Sequence, residues 1–144
     1  LVAGNIHAGF LPVILFMLAG VMAFATGTSW GTFGIMLPIA AAMAVKVEPS
    51  LIIPCMSAVM AGAVFGDHCS PISDTTILSS TGAHCNHIDH VTSQFPYALT
   101  VAASAAIGYL ILGMTGSAPL GFVVTGIVMV VLILILKDKK KATA

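Results

Sequence analysis

The chain has 144 residues, 58% of them hydrophobic and only 7% charged, with a formal net charge of zero. Soluble domains carry about 25% charged residues, so this composition excludes a water-covered globular surface, and its neutral balance gives no sign of a nucleic-acid partner. It predicts an all-α, polytopic membrane protein whose main partner is the lipid bilayer. Residues 1–45 contain no Asp, Glu, Lys or Arg. The formal charges fall at Lys46 and Glu48, at Asp67, Asp74 and Asp89, and in the tail from Lys137 to Lys141. That is the pattern of apolar spans punctuated by short turns.

The first apolar stretch, Ala8–Ala25, has most of the length of a span, since about 20 helical residues cross the hydrocarbon. It ends in the flexible run TGTSWGT, and Phe33–Val45 is apolar again but short for a crossing. A short helix joined to its predecessor by a Gly/Thr/Ser tip predicts a re-entrant hairpin over residues 8–45, a form tolerated at membrane depth where protein or a water-filled cavity surrounds it. The alternative is two ordinary helices with a surface turn. Trp30 is expected to anchor the tip by packing.

Leu51–Phe65 leads into GDHCSPISDTTILSSTG, where Pro71 would break any helix passing straight through. Residues 51–82 are therefore expected to form a discontinuous helix with an unwound linker. Gly62 and Gly66 supply a G-x-x-x-G pair that permits close helix approach. Residues 83–94, polar throughout, predict an exposed loop. Spans are expected at 96–115 and 118–136, followed by a basic tail at 137–144. The tail places the C-terminus in the cytoplasm by the positive-inside rule, which puts the 83–94 loop inside and the Lys46–Ser50 turn outside. The three cysteines, Cys55, Cys69 and Cys85, form no C-x-x-C pair and are expected to be free.

The acids carry the chemistry. A carboxylate within a bilayer costs roughly 2.5–3.5 kcal/mol on insertion scales and is normally there for a purpose. Asp67 and Asp74 stand at i and i+7 across the Pro71 break, with Ser70, Ser73, Thr75 and Thr76 beside them. Carboxylate, hydroxyl and freed carbonyl oxygens can together replace the hydration shell of Na+, and Thr26, Thr28 and Ser29 would add ligands if the hairpin tip reaches the same depth. Half-helix ends around a midplane site are the recurring architecture of secondary transporters. A desolvated carboxylate favours its protonated form and a bound cation favours the ionised one, so one group can exchange H+ for Na+. The bland alternative is a buried, protonated and hydrogen-bonded acid. His84, His87 and His90 with Cys85 and Asp89 are poorly spaced for a transition metal, and none is expected; a plain loop or a pH-sensing cluster are the readings that remain. No nucleophile elbow or metal-hydrolase motif frames the serines and histidines, so no enzyme is expected.

GDHCSPISDTTILSSTG, followed by HIDHVTSQFPYAL and preceded by ATGTSWGTFGIMLPIA, closely resembles the C-terminal part of the NhaC-type Na+/H+ antiporters, over roughly residues 8–115. The resemblance implies half of an inverted-repeat fold in the cell (inner) membrane, with residues 26–32 as the hairpin tip and residues 67–76 as the unwound linker. It implies no cofactor, with Na+ and H+ as the transported ions and Asp67 and Asp74 as their binding groups. Members of that family are about three times this length, so the N-terminal half is expected on a longer reading frame or on a partner chain; a homo-oligomer stays open. Two other functions compete: exchange of an organic anion such as malate or lactate, and a non-transporting fragment or subunit.

Overall fold

The computed structural model describes residues 7–142 and the side chains of residues 7–137. A 3-10 turn, Ala8–Phe10, opens into α1 (Leu11–Thr26), which is followed by α2 (Ser29–Val47). A second 3-10 turn, Pro49–Leu51, leads to α3 (Ile52–Cys69); then come α4 (Asp74–Gly82), α5 (His87–Thr115) and α6 (Ala118–Ala142). Ala8–Thr26, Ser29–Val47, Pro49–Cys69, His87–Thr115 and Ala118–Lys137 are each long and apolar enough to cross a membrane.

The ends of these elements follow from local chemistry. α1 stops because Gly27 takes the left-handed conformation (φ 69°) and turns its N–H back to the Ala23 carbonyl. Thr28 is extended, and its hydroxyl accepts from the Gly31 N–H, capping α2. α3 stops at Cys69 because Ser70 precedes Pro71, whose ring disfavours helical backbone in the residue before it; Ser70 is extended, with ψ 128°. α4 restarts on Ser73, whose side chain accepts from the Thr75 N–H. α5 is capped by Asn86, which accepts from the N–H groups of Ile88 and Asp89.

Several boundaries differ from the sequence expectation. The second apolar stretch is not short: α2 has 19 residues, because the polar start Ser29–Thr32 is helical once Thr28 caps it. The expected loop 83–94 shrinks to the connection between Gly82 and His87, since the Asn86 cap starts α5 well before Pro96. Pro96 sits inside α5 rather than at its start. The backbone of the expected tail continues α6 to Ala142, and residues 143–144 lie outside the described residues.

α1 and α3 form the central seam and run in the same direction. Gly62 lies against the Phe16 backbone and Gly66 against the Gly20 backbone, so closely that a Cβ at either glycine would collide with the facing carbonyl oxygen. The G-x-x-x-G spacing thus brings two helix backbones into contact, as small residues do where lipid supplies no hydrophobic drive between helices. α2 runs the other way beside them. Its buried face, Ser29, Thr32, Met36, Ala40 and Ala44, recurs every three or four residues. It packs on Leu15, Ala19 and Ala23 of α1 and on Cys55, Val59 and Ala63 of α3.

α5 is antiparallel to α1 and α3: its Gly113 meets Gly9, and Tyr109 donates to the Ser57 carbonyl at 3.0 Å. Phe16 fills the space between, its ring 6.2 Å from that of Phe65 and 5.6 Å from that of Tyr109. α6 returns along α5 and leaves much of its apolar surface, including Phe122, Ile127 and Val130, uncovered. Trp30 does not pack into the bundle; it is 82% exposed and touches Phe33 edge-on.

Candidate functional site

This arrangement collects five helix ends at one place: α1 and α3 finish there, and α2, α4 and α5 begin. Asp67 lies in the last turn of α3, next to Gly66, and is 5% exposed. Its carboxylate accepts two hydrogen bonds, both from hydroxyls. Ser29, the first residue of α2, donates at 3.0 Å, and Ser73, the cap of α4, donates at 2.5 Å. The Ser73 proton is spent on Asp67, so Thr75, whose Oγ1 is 2.8 Å from the Ser73 oxygen, must be the donor in that contact. The Thr75 N–H reaches the same oxygen at 3.2 Å.

Two features hold this geometry. The contact of Gly66 with the Gly20 backbone sets the distance between α1 and α3, and with it the height of Asp67 beside Ser29 at the start of α2. Gly27 then fits the α1–α2 connection under the α3–α4 connection: a Cβ on Gly27 would come within 2.8 Å of the Ile72 carbonyl oxygen. The amide dipoles at the N-termini of α2 and α4 favour negative charge at the carboxylate. Among the described residues no lysine or arginine is at hand to neutralise it. The chain contains no arginine, Lys46 lies at the far end of α2, and the remaining lysines follow residue 136 on α6.

The residues singled out from sequence divide into two groups. Asp67, Ser29, Ser70, Ser73 and Thr76 are buried at this junction, with Thr75 bonded at its edge. Thr76 Oγ1 is buried without a hydrogen-bond partner, an open donor and acceptor one turn along α4 from Ser73. Asp74 is exposed at the first position of α4 and has no hydrogen bond to the cluster. Thr28 is committed to capping α2, and the exposed Thr26 donates to the Met22 carbonyl of its own helix at 3.0 Å.

Thr32, 1% exposed, is a buried hydroxyl that the motif alone does not mark; it lies one turn after Thr28 and donates to that residue's carbonyl at 3.0 Å. His87 and Gln94 also border the site, on a stretch whose polarity predicts a loop. Asn86 followed three residues later by Asp89 is the capping signal that would have placed them on a helix. The histidines do not gather. His84 is exposed in the turn with φ 52°, and among the described residues no three His, Cys, Asp or Glu side chains come together as a metal site. All three cysteines are free, Cys55 and Cys69 buried and Cys85 exposed.

A sequence model of the Na+/H+ antiporter family matches residues 1–114. An uncharacterized protein of Haemophilus influenzae is 66% identical over 139 residues, 96% of this chain and 27% of that protein. A malate-2H+/Na+-lactate antiporter of Bacillus subtilis is 31% identical over 111 residues, 75% of this chain and 23% of its own length. An uncharacterized Na+/H+ antiporter of Haemophilus influenzae is 31% identical over 105 residues, 73% of this chain and 22% of its own. The chain thus spans about a quarter of the length of these relatives. No solved structure matches it significantly. The matched stretch takes in the polar junction and α1 to α5 almost entire, and with five membrane-length helices among the described residues the chain is a multi-pass membrane protein belonging to the Na+/H+ antiporter family.

Proposed function

We propose that this chain carries an ion site of a Na+/H+ antiporter, in which Asp67 binds Na+ or H+ in turn. The observation that supports this reading is a buried carboxylate held by two hydroxyls and, among the described residues, by no cation. Hydroxyl donors orient such a group without occupying all of its lone pairs, so its oxygens can still take a proton or a metal ion. When Na+ binds, Ser29 and Ser73, already on the carboxylate, would supply neutral oxygens, with the buried Ser70 and the unpartnered Thr76 Oγ1 in reserve. Since the two cargoes exclude each other at one carboxylate, only occupied states need change access for antiport to follow.

In this reading α3 and α4 are the two halves of a discontinuous helix of the NhaC type, and α1 and α2 are its hairpin. The rest of the transporter, with the second repeat, covers the open apolar faces. The lysine-rich end of α6 faces the cytoplasm of a cell whose inner membrane holds the protein, and Asp74 contributes from the exposed side of the junction. A second reading is favoured by the Bacillus relative, which is named for malate and lactate: exchange linked to an organic anion, with the N-termini of α2 and α4 receiving its carboxylate.

The test is Na+-driven proton movement in proteoliposomes holding the full-length transporter. Asp67→Asn is expected to reduce the flux to background, and Asp74→Asn to weaken it while leaving it measurable. Wild-type flux in Asp67→Asn would remove Asp67 from the mechanism. Counterflow of labelled malate or lactate that survives without Na+ would favour the second reading.

A further inference from the structure

His87, His90 and Gln94 occupy one face of the first two turns of α5, at i, i+3 and i+7. Two of them reach the connection between α3 and α4. Gln94 Nε2 donates to the His68 carbonyl, one of those left open at the C-terminus of α3. His87 Nε2 lies 2.7 Å from the Pro71 carbonyl, while its Nδ1 lies 3.0 Å from Ser80 Oγ on α4. A single imidazole thereby ties the broken segment to the helix that follows it.

The proton positions follow from what each partner can do. A carbonyl only accepts, so Nε2 carries a hydrogen whatever the charge of the ring. Ser80 Oγ also lies 2.9 Å from the Ile77 carbonyl. A neutral ring takes the Ser80 proton at Nδ1; a charged ring donates from Nδ1, and Ser80 turns its proton to Ile77. The contact with Pro71 survives in both states.

We infer that His87 is a positioning residue for the ion site: by holding the Pro71 carbonyl on the α5 side, it fixes the turn of chain that points Ser73 at Asp67. Pro71 stands two residues before Ser73, whose hydroxyl is the closer of the two donors to the carboxylate. With the Pro71 carbonyl released, the connection can rotate and Ser73 loses its aim. This inference rests on the reading of Asp67 as the exchanging group.

Glutamine and asparagine substitutions separate the two ring nitrogens. A Gln amide nitrogen reaches about as far as Nε2 and can still bond Pro71; an Asn amide nitrogen reaches only as far as Nδ1 and can bond Ser80 alone. In proteoliposomes of the full-length transporter, His87→Ala and His87→Asn are expected to raise the Na+ concentration for half-maximal flux about tenfold, the equivalent of one hydrogen bond. The maximal rate should change little, and His87→Gln should stay near wild type. Equal behaviour of His87→Asn and His87→Gln, whether both normal or both impaired, would overturn the role of the Pro71 contact. Asp67→Asn serves as the control: its retention of flux sinks the underlying site, whereas its loss of flux beside a normal His87→Asn removes only His87.

Discussion

The α1–α3 seam and the α5–α6 seam are both helix contacts built on glycine, yet they differ in what the glycine touches. At Gly66 the neighbour is the Gly20 carbonyl, a backbone atom with no rotamer to yield. At Gly108 the first neighbour is the hydroxyl of Thr125, the end of a side chain that can turn away. The α5–α6 seam also has a backbone neighbour, since a Cβ on Gly121 would lie 3.0 Å from the Gly108 carbonyl oxygen, but that is looser than the 2.0 Å approach at Gly66 and leaves room to adjust. Asp67 follows Gly66 directly, so the rigid seam ends at the buried acid. The adjustable seam carries no such acid, and α6 keeps a broad apolar surface uncovered.

The largest effect is expected where the rigid seam is opened. Gly66→Ala forces α1 and α3 apart, because neither the Gly20 carbonyl nor the Phe24 backbone behind it can give way. Overpacking of that kind costs on the order of 3 kcal/mol, and the thermal unfolding midpoint in detergent should fall accordingly. Flux should be lost as well, since Asp67 is carried away from Ser29. A Gly66→Ala variant with normal melting and normal flux would show that the seam does not set the site.

An intermediate effect is expected at Gly108→Ala. The added methyl displaces Thr125 Oγ1, which gives up its 2.9 Å bond to the Gly121 carbonyl and turns aside. The Gly121 carbonyl itself stands 3.2 Å from the new atom, so some crowding remains. The loss should be about 1 kcal/mol at most, partly offset by the gain in helix propensity. Flux is expected to survive. The same thermal melt decides it: a drop as large as that of Gly66→Ala would erase the distinction between the seams.

How far these differences could be read beforehand varies with the kind of contact. Gly62 and Gly66 carry their spacing in the sequence, whereas α1 and α3 are apolar on nearly every side and no periodicity marks the faces that meet. The break after Cys69 is also legible, because Ser70–Pro71 states it locally. The fate of Asp74 is not. Its motif gives it the same standing as Asp67, but the helix register that begins at Ser73 turns Thr76 inward and leaves Asp74 exposed. Ser29 was recognisable as polar; that it, and neither Thr26 nor Thr28, would reach Asp67 depends on the capping of α2 and the depth at which α2 meets α3. His87 was obscured by a boundary: reading residues 83–94 as loop hid the helical face that brings it to Pro71.

The smallest effect is expected at Gly126→Ala on α6, where a Cβ meets nothing within 4 Å. With no neighbour to displace, the substitution only removes backbone freedom from the unfolded chain, a gain of up to about 1 kcal/mol in a helix interior. The melting midpoint of the isolated chain should hold or rise slightly. A transporter of the relatives' full length provides the sharper comparison, because any further helix packed on this face would meet the added methyl group. If Gly126→Ala is harmless in the isolated chain but lowers the midpoint in the full-length protein, another helix packs on that face as closely as α1 packs on Gly66. If it is harmless in both, this face of α6 meets lipid, which accommodates a methyl group freely, and the rigid packing stays on the side of Asp67.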